Sequence, residues 1–168
     1  MLESSLDVPA LLDCLETQLR AEIARRELAN PAMIGILSGG AWVAERLHAR
    51  LGLPDPLGLL NISYYRDDFS KIGMHPQVQP SKLPFKVEGR NIILIDDVFY
   101  TGRTIRAALN EIFDYGRPTQ VALGVLLERN GRQIPIRPDC VGGTLDLRPD
   151  QCVKLAGPDP LELTIHSV

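Results

Sequence analysis

Large aliphatic residues recur along this chain in two rhythms. In the first they run on with little polar interruption, at Met33–Leu37, Ile92–Ile95 and Thr119–Leu127. Runs of this kind read as strands buried on both faces, as in a parallel sheet. In the second they return at helical spacing: Leu12, Leu15, Leu19 and Ile23; then Val43, Ala44, Leu47 and Leu51; then Ile105, Ala108, Leu109, Ile112 and Phe113. Each set lines one face of a helix. The punctuation agrees with the periodicity. Asp7 or a neighbour caps the first helix with Pro9 in its opening turn, and that helix stops before Asn30-Pro31. Gly52 and Pro54 stop the second helix, and Gly116 and Pro118 stop the third.

Leu57–Tyr65 mixes aliphatic, aromatic and small polar residues and is expected to form another strand. Periodicity is then lost from Arg66 to Phe85 among charges, Gly73, Pro76, Pro80 and Pro84, which predicts a long loop with His75 in it. Glu128–Thr144, rich in Arg, Gly and Pro, is expected to be irregular, and Gln151–Ala156 and Leu161–Ile165 to be short strands at the sheet edge. Strands that alternate with helices define an α/β fold, a doubly wound, mainly parallel sheet with helices on both faces. The first helix is expected to cover one side of that sheet, with Arg20, Arg25 and Arg26 as its solvated edge.

A length of 168 residues with 45% hydrophobic content supplies one core, so residues 1–168 are expected to form a single domain. The net charge of −3 and the pI near 5.6 argue against a surface dominated by nucleic-acid binding, while leaving room for a local basic patch. Cys14, Cys140 and Cys152 form no Cys-x-x-Cys pair and are expected to be the reduced thiols of a cytoplasmic protein. No basic segment followed by an apolar core opens the chain, and no apolar run reaches membrane-spanning length, so neither export nor membrane insertion is expected.

Chemistry gathers at Asn91–Thr104, NIILIDDVFYTGRT. A buried strand ends there in Asp96 and Asp97, and a turn of small and hydroxylated residues opens a helix. Backbone N–H groups and the positive end of the helix dipole at such a turn hold a phosphate, with Thr101, Gly102, Arg103 and Thr104 as the cradle. Two carboxylates so close to a phosphate suit sugar hydroxyls or a divalent cation, so the implied ligand is a phosphorylated sugar with Mg2+. No Gly-x-Gly-x-x-Gly follows the first strand and no P-loop motif is present, which disfavours dinucleotide and P-loop enzymes. His48, His75 and His166 stand apart, which disfavours metal hydrolysis.

The same stretch resembles the phosphoribosyl pyrophosphate (PRPP) motif of type I phosphoribosyltransferases. In the form DDVFYTGRT it is most similar to the pyrimidine operon attenuation proteins, uracil phosphoribosyltransferases that also regulate transcription. The resemblance continues at YYRDDFS (Tyr64–Ser70), GRPTQVALGVLLER (Gly116–Arg129) and RQIPIRPDCVG (Arg132–Gly142). It implies conversion of uracil and PRPP to UMP and pyrophosphate, with Asp96, Asp97 and Arg66 as catalytic residues. Val98, Tyr100 and Thr101 to Thr104 would hold the 5′-phosphate, and Ser38, Gly39 and Gly40 the pyrophosphate. A flexible loop carrying Arg66, Asp67 and Asp68 would close over PRPP. A small hood at about 128–145, together with the C-terminal edge strands, would read uracil through Arg129 and through backbone N–H and C=O groups at Ile136 and Arg137. Mg2+ would arrive with PRPP near Asp96 and Asp97, without direct protein ligands, and the chain would assemble as a homodimer or homotetramer.

Two departures from the family pattern stand out. Gly39 occupies a position in the pyrophosphate loop that often carries Lys or Arg, which leaves the anion to backbone amides. Gly131 and Gly143 stand where RNA-binding relatives tend to carry His and Lys, whereas Arg132 and Arg137 match. The competing expectation is therefore a regulator of pyrimidine genes that binds leader mRNA and uses the nucleotide site as a sensor. In the enzymatic reading, RNA control is the less secure of the two activities.

Overall fold

The structure, a computed structural model, describes residues 5–62 and 80–168. Among them the elements run β1 (Ser5–Leu6), α1 (Val8–Arg25), β2 (Ala32–Ile36), α2 (Gly39–Leu51), β3 (Gly58–Leu60), β4 (Asn91–Phe99), α3 (Arg103–Tyr115), β5 (Gln120–Arg129), β6 (Cys140–Leu145), β7 (Gln151–Ala156) and β8 (Glu162–Ser167). The main sheet has the order β3-β2-β4-β5-β6, and every pairing in it is parallel. In this order the chain reverses its direction of travel across the sheet between β2 and β4. Loops at the carboxyl ends of those two strands diverge to opposite faces and leave a crevice, where ligands bind in doubly wound folds.

The aliphatic run of β4 is central because it feeds both cores. Ile92 and Leu94 pack with Ile105, Ala108 and Ile112 of α3 on one face, while Ile93 and Ile95 pack with Leu12, Leu15 and Leu19 of α1 and Val43, Ala44 and Leu47 of α2 on the other. Burial of the two faces by successive residues is why no polar position interrupts the run. The first helix therefore does cover the sheet. Asp7 caps it, its Oδ1 accepting from Ala10 N at 3.1 Å, and proline occupies its first turn.

Several elements differ from expectation. β4 continues through both aspartates to Phe99, pairing Val98 with Leu127 and Phe99 with Glu128. The strand expected over Leu57–Tyr65 is confined to Gly58–Leu60 among the described residues. Within the stretch expected to be irregular, β5 extends to Arg129 and β6 forms at Cys140–Leu145. A Cβ on Gly142 of β6 would stand 2.7 Å from the Leu11 carbonyl oxygen, so the glycine that reads as a breaker is what lets α1 lie against the strand. The two C-terminal strands are not at the edge of the parallel sheet. They pair antiparallel with each other and with β1 in a separate sheet, β1-β8-β7.

The arginines of α1 differ too. Arg25 pairs with Glu22 at the surface, but Arg26 donates to Gln120 Oε1 at 3.1 Å and lies 3.6 Å from Asp139, tying the helix end to the start of β5 and the entry to β6. The Arg25 hydrogen bond holds the Glu22 carboxyl below its ordinary range. Cys140 beneath this cluster is fully buried, and desolvation pushes its thiol up to about 12.

Candidate active site

Asp96 and Asp97 stand at the carboxyl end of β4, at the crevice between β2 and β4. Asp96 is 5% exposed and its Oδ1 accepts from the Asp97 amide at 2.9 Å. Asp97 is half-buried, and its Oδ1 accepts from the Val98 amide at 2.8 Å. Each carboxylate thus accepts from the N–H of the following peptide, a charge-assisted bond that orients it. Val98, expected in the phosphate cradle, spends its N–H on Asp97 and packs its side chain into the core under α1 and α2.

Across the crevice, the turn after β2 brings Ser38, Gly39 and Gly40 against this pair. The Leu37–Ser38 peptide is cis. A Cβ on Gly39 would lie 2.8 Å from Asp97 Cγ and closer still to its Oδ2, and one on Gly40 would lie 2.9 Å from Asp96 Oδ1. Real Cβ atoms essentially never approach so closely. Gly39 opens α2, whose Ser38 N-cap makes no side-chain capping bond. At position 39, Asp97 occupies the space a side chain would need.

The second loop follows β4. Gly102 is the N-cap of α3 with φ +97, and a Cβ there would stand 2.8 Å from Ile134 Cγ1. No side chain caps the helix and its first turn carries no acid, so the start of α3 keeps its electropositive character. Thr101 Oγ1 accepts from Arg103 N at 3.2 Å, and the Thr101 carbonyl accepts from Gln133 N at 3.0 Å. Arg103 Nε donates to Gln133 Oε1 at 3.2 Å, which orients its guanidinium along the loop. Thr101 to Thr104 thus forms a glycine-capped helix start, held by local hydrogen bonds, directly after the strand that carries the acids.

The residues expected to read the base are dispersed. Ile136 and Arg137 line a groove of about 350 Å³ with Leu109, Phe113, Pro118 and Thr119. That groove lies at the amino end of β5, where Val121 pairs with Ile92. Its lining also includes Leu94, two residues before Asp96 on β4, and Ile105 in the first turn of α3. Arg129 is at the correct end, yet its guanidinium lies over the Tyr100 ring at 3.9 Å and donates to the Asn130 and Gln151 carbonyls, both at 3.3 Å. The segment after β6 reaches this same end of the sheet, a placement no local sequence pattern gave: Leu145 pairs with Arg129, and Asn130 holds Leu147 by bonds to its N–H at 2.8 Å and its carbonyl at 3.0 Å. The signal that could have located it was Asn130 beside Arg129, at a strand end. Arg66, Asp67, Asp68 and His75 lie outside the described residues.

Among the described residues no group of three carboxylate, imidazole or thiolate side chains converges as a metal cage. Two aspartates beside an anion cradle instead fit a Mg2+ that keeps water and phosphate oxygens as most of its ligands.

A parallel sheet whose crevice sets an acid pair between a glycine loop and a glycine-capped helix start defines a type I phosphoribosyltransferase. The chain belongs to the phosphoribosyl transferase domain family, whose model matches residues 11–156. More particularly, it is 61% identical to the bifunctional protein PyrR of Nitrosococcus oceani over 166 residues, covering 98% of this chain and 94% of that one. It is 52% identical to the bifunctional protein PyrR of Pseudomonas syringae pv. tomato over 165 residues, covering 98% and 97%. Among solved structures, a hypoxanthine phosphoribosyltransferase from Staphylococcus aureus superposes with a TM-score of 0.65 at 19% identity, covering 88% of this chain and 78% of that one. A purine phosphoribosyltransferase from Pyrococcus horikoshii superposes with a TM-score of 0.60 at 20% identity, covering 80% and 84%. These two likenesses bear on the fold alone.

Proposed function

We propose that the chain transfers the phosphoribosyl group of PRPP to uracil, forming UMP and pyrophosphate. The observation that carries the reading is the setting of Asp97, whose carboxylate is fixed by the Val98 amide and faces Gly39, between a loop suited to a diphosphate and a cradle suited to a monophosphate. The 5′-phosphate would anchor at Thr101 to Thr104, and the pyrophosphate at the amides of Ser38 to Gly40. The ribose then spans the acids. As the bond from C1′ to pyrophosphate breaks, positive charge develops on the sugar, and the two carboxylates hold its hydroxyls and lend a negative field. The bond from C1′ to uracil N1 forms and the N1 proton passes to the departing pyrophosphate. Asp96 and Asp97 would stand beside a Mg2+ carried in with PRPP, and that ion would supply charge neutralisation for the diphosphate.

The base would lie against the carboxyl ends of β5 and β6, near Leu145 to Leu147, with the backbone at Ile136 and Arg137 as the alternative reader that the resemblance implies. Arg66, Asp67 and Asp68 remain assigned to the closing loop on resemblance alone. Cytoplasmic residence fits the three free cysteines, and no helix among the described residues is long and apolar enough to cross a membrane. Phe113 and Tyr115 of α3, 55% and 48% exposed, support self-association into a homodimer or larger assembly.

The test is PRPP-dependent conversion of uracil to UMP by the purified chain. Asp97→Asn should lower turnover by more than about tenfold, the size of a lost transition-state field of about 2 kcal/mol. A chain that makes no UMP, or an Asp97→Asn variant that turns over normally, would overturn the assignment. The second reading, an RNA-binding regulator of pyrimidine genes that senses UMP at the same site, draws on the word bifunctional in the names of the relatives.

A further inference from the structure

Arg129 is the one buried arginine among the described residues, 8% exposed, and it makes no ion pair there. Its planar group is used in three directions. One face covers the Tyr100 ring at 3.9 Å, Nε donates to the Asn130 carbonyl, and Nη1 donates to the Gln151 carbonyl at the start of β7. The ring is held at its edge as well. Gly131 sits there with φ +117, and a Cβ on it would stand 2.5 Å from Tyr100 Cε1. Tyr100 is thus gripped on a face and an edge although it is 47% exposed. It is also the residue between the end of β4 and Thr101.

We infer that Arg129 is a positioning residue for the phosphate loop, not a ligand of the base. Through Tyr100 it fixes the entry to Thr101–Thr104, and through Gln151 it ties that loop to the antiparallel sheet β1-β8-β7. A guanidinium suits this role because it stacks flat on a ring while its in-plane N–H groups reach two carbonyls, whereas an ammonium offers no plane to stack. The inference rests on the reading of Thr101–Thr104 as the 5′-phosphate site.

Calorimetry with three probes separates the possibilities. Ribose 5-phosphate carries the phosphate without the base, uridine the base without the phosphate, and UMP both. Arg129→Lys should weaken UMP and ribose 5-phosphate by the same factor, roughly tenfold, and leave uridine unchanged. Tyr100→Leu should do the same, and the double variant should be no weaker than the weaker single one, because both remove one contact. Should Arg129→Lys fail to fold, Tyr100→Leu carries the test alone, since its ring is half exposed. Loss of UMP and uridine with ribose 5-phosphate intact would make Arg129 a base ligand and overturn the inference. Equal loss of all three probes with a lowered melting temperature would reduce it to a structural residue and overturn it as well. A folded Gly102→Val chain that binds UMP and ribose 5-phosphate normally would instead remove the phosphate-site reading itself, a failure distinct from that of Arg129.

Discussion

At Gly39 the missing side chain is dictated by a residue on another strand. Asp97 is pinned by the Val98 amide, so a Cβ at position 39 cannot be admitted without pushing the carboxylate out of line. Gly39→Ala should therefore cost about tenfold in turnover, a displaced field of roughly 1.4 kcal/mol. Its melting temperature should stay close to that of the parent, and steady-state kinetics beside a thermal scan check both. Cys140 makes a second residue-scale prediction. With its thiol pushed up from 9.0 to about 12 by burial, it stays protonated at neutral pH. Mass spectrometry after brief alkylation of the native protein should find the label on exposed Cys14 and not on Cys140. The sign of the linkage follows from a raised pKa: the stabilisation is fully present below pH 9.0 and is lost as pH rises toward about 12.

Helix α3 joins packing to chemistry. Its apolar face, legible from Ile105, Ala108 and Ile112, buries against β4 and so aims its uncapped start at the acids. Gly102→Val forces a β-branched residue into φ +97 against Ile134, and isothermal titration should show UMP binding weakened at least about tenfold. Unchanged affinity in a folded variant would move the phosphate elsewhere. The last turns of α1 carry a pH-dependent prediction. Glu22, held below its ordinary value of 4.5 mainly by the Arg25 hydrogen bond, contributes stability above that value that is lost as pH falls through its lowered pKa. Glu22→Gln should flatten the acid limb of a stability-against-pH curve and leave the alkaline limb alone. These helices were readable because amphipathic spacing is a local property. β6 was not, since Gly142 and Gly143 look like breakers until α1 is seen lying across them.

On the scale of the whole molecule, a net charge of −3 leaves little general attraction for RNA, and any leader RNA must find a local basic face. Gly131 and Gly143, where the resemblance leads one to expect His and Lys, are not equivalent. A side chain at Gly131 would meet the Tyr100 ring and take up φ +117, whereas one at Gly143 would press on the Leu11 Cδ2 methyl at 2.6 Å and touch Leu127 Cδ1 at an ordinary 3.9 Å. Gly143→Lys is therefore the substitution the fold can absorb by turning Leu11. In a UMP-dependent filter titration against leader RNA it should steepen the slope of log affinity with log salt by about one unit. No change in slope would mean that the face around position 143 does not meet RNA phosphate.

The parallel sheet, the helices on its two faces and the acid pair ahead of a glycine-opened helix were legible from the chain alone. Those features are written in neighbours along the chain: an unbroken aliphatic run, helical spacing, and a glycine opening a helix. Where side chains distant in sequence meet was settled by the folded chain. Folding set Gly39 against Asp97, stacked Arg129 on Tyr100, placed Ile136 and Arg137 in a groove beside α3, and joined β1 to β7 and β8 in a second sheet. A resemblance transfers residue types to positions, but whether a guanidinium faces a base or a neighbouring ring depends on contacts between segments that no local pattern encodes.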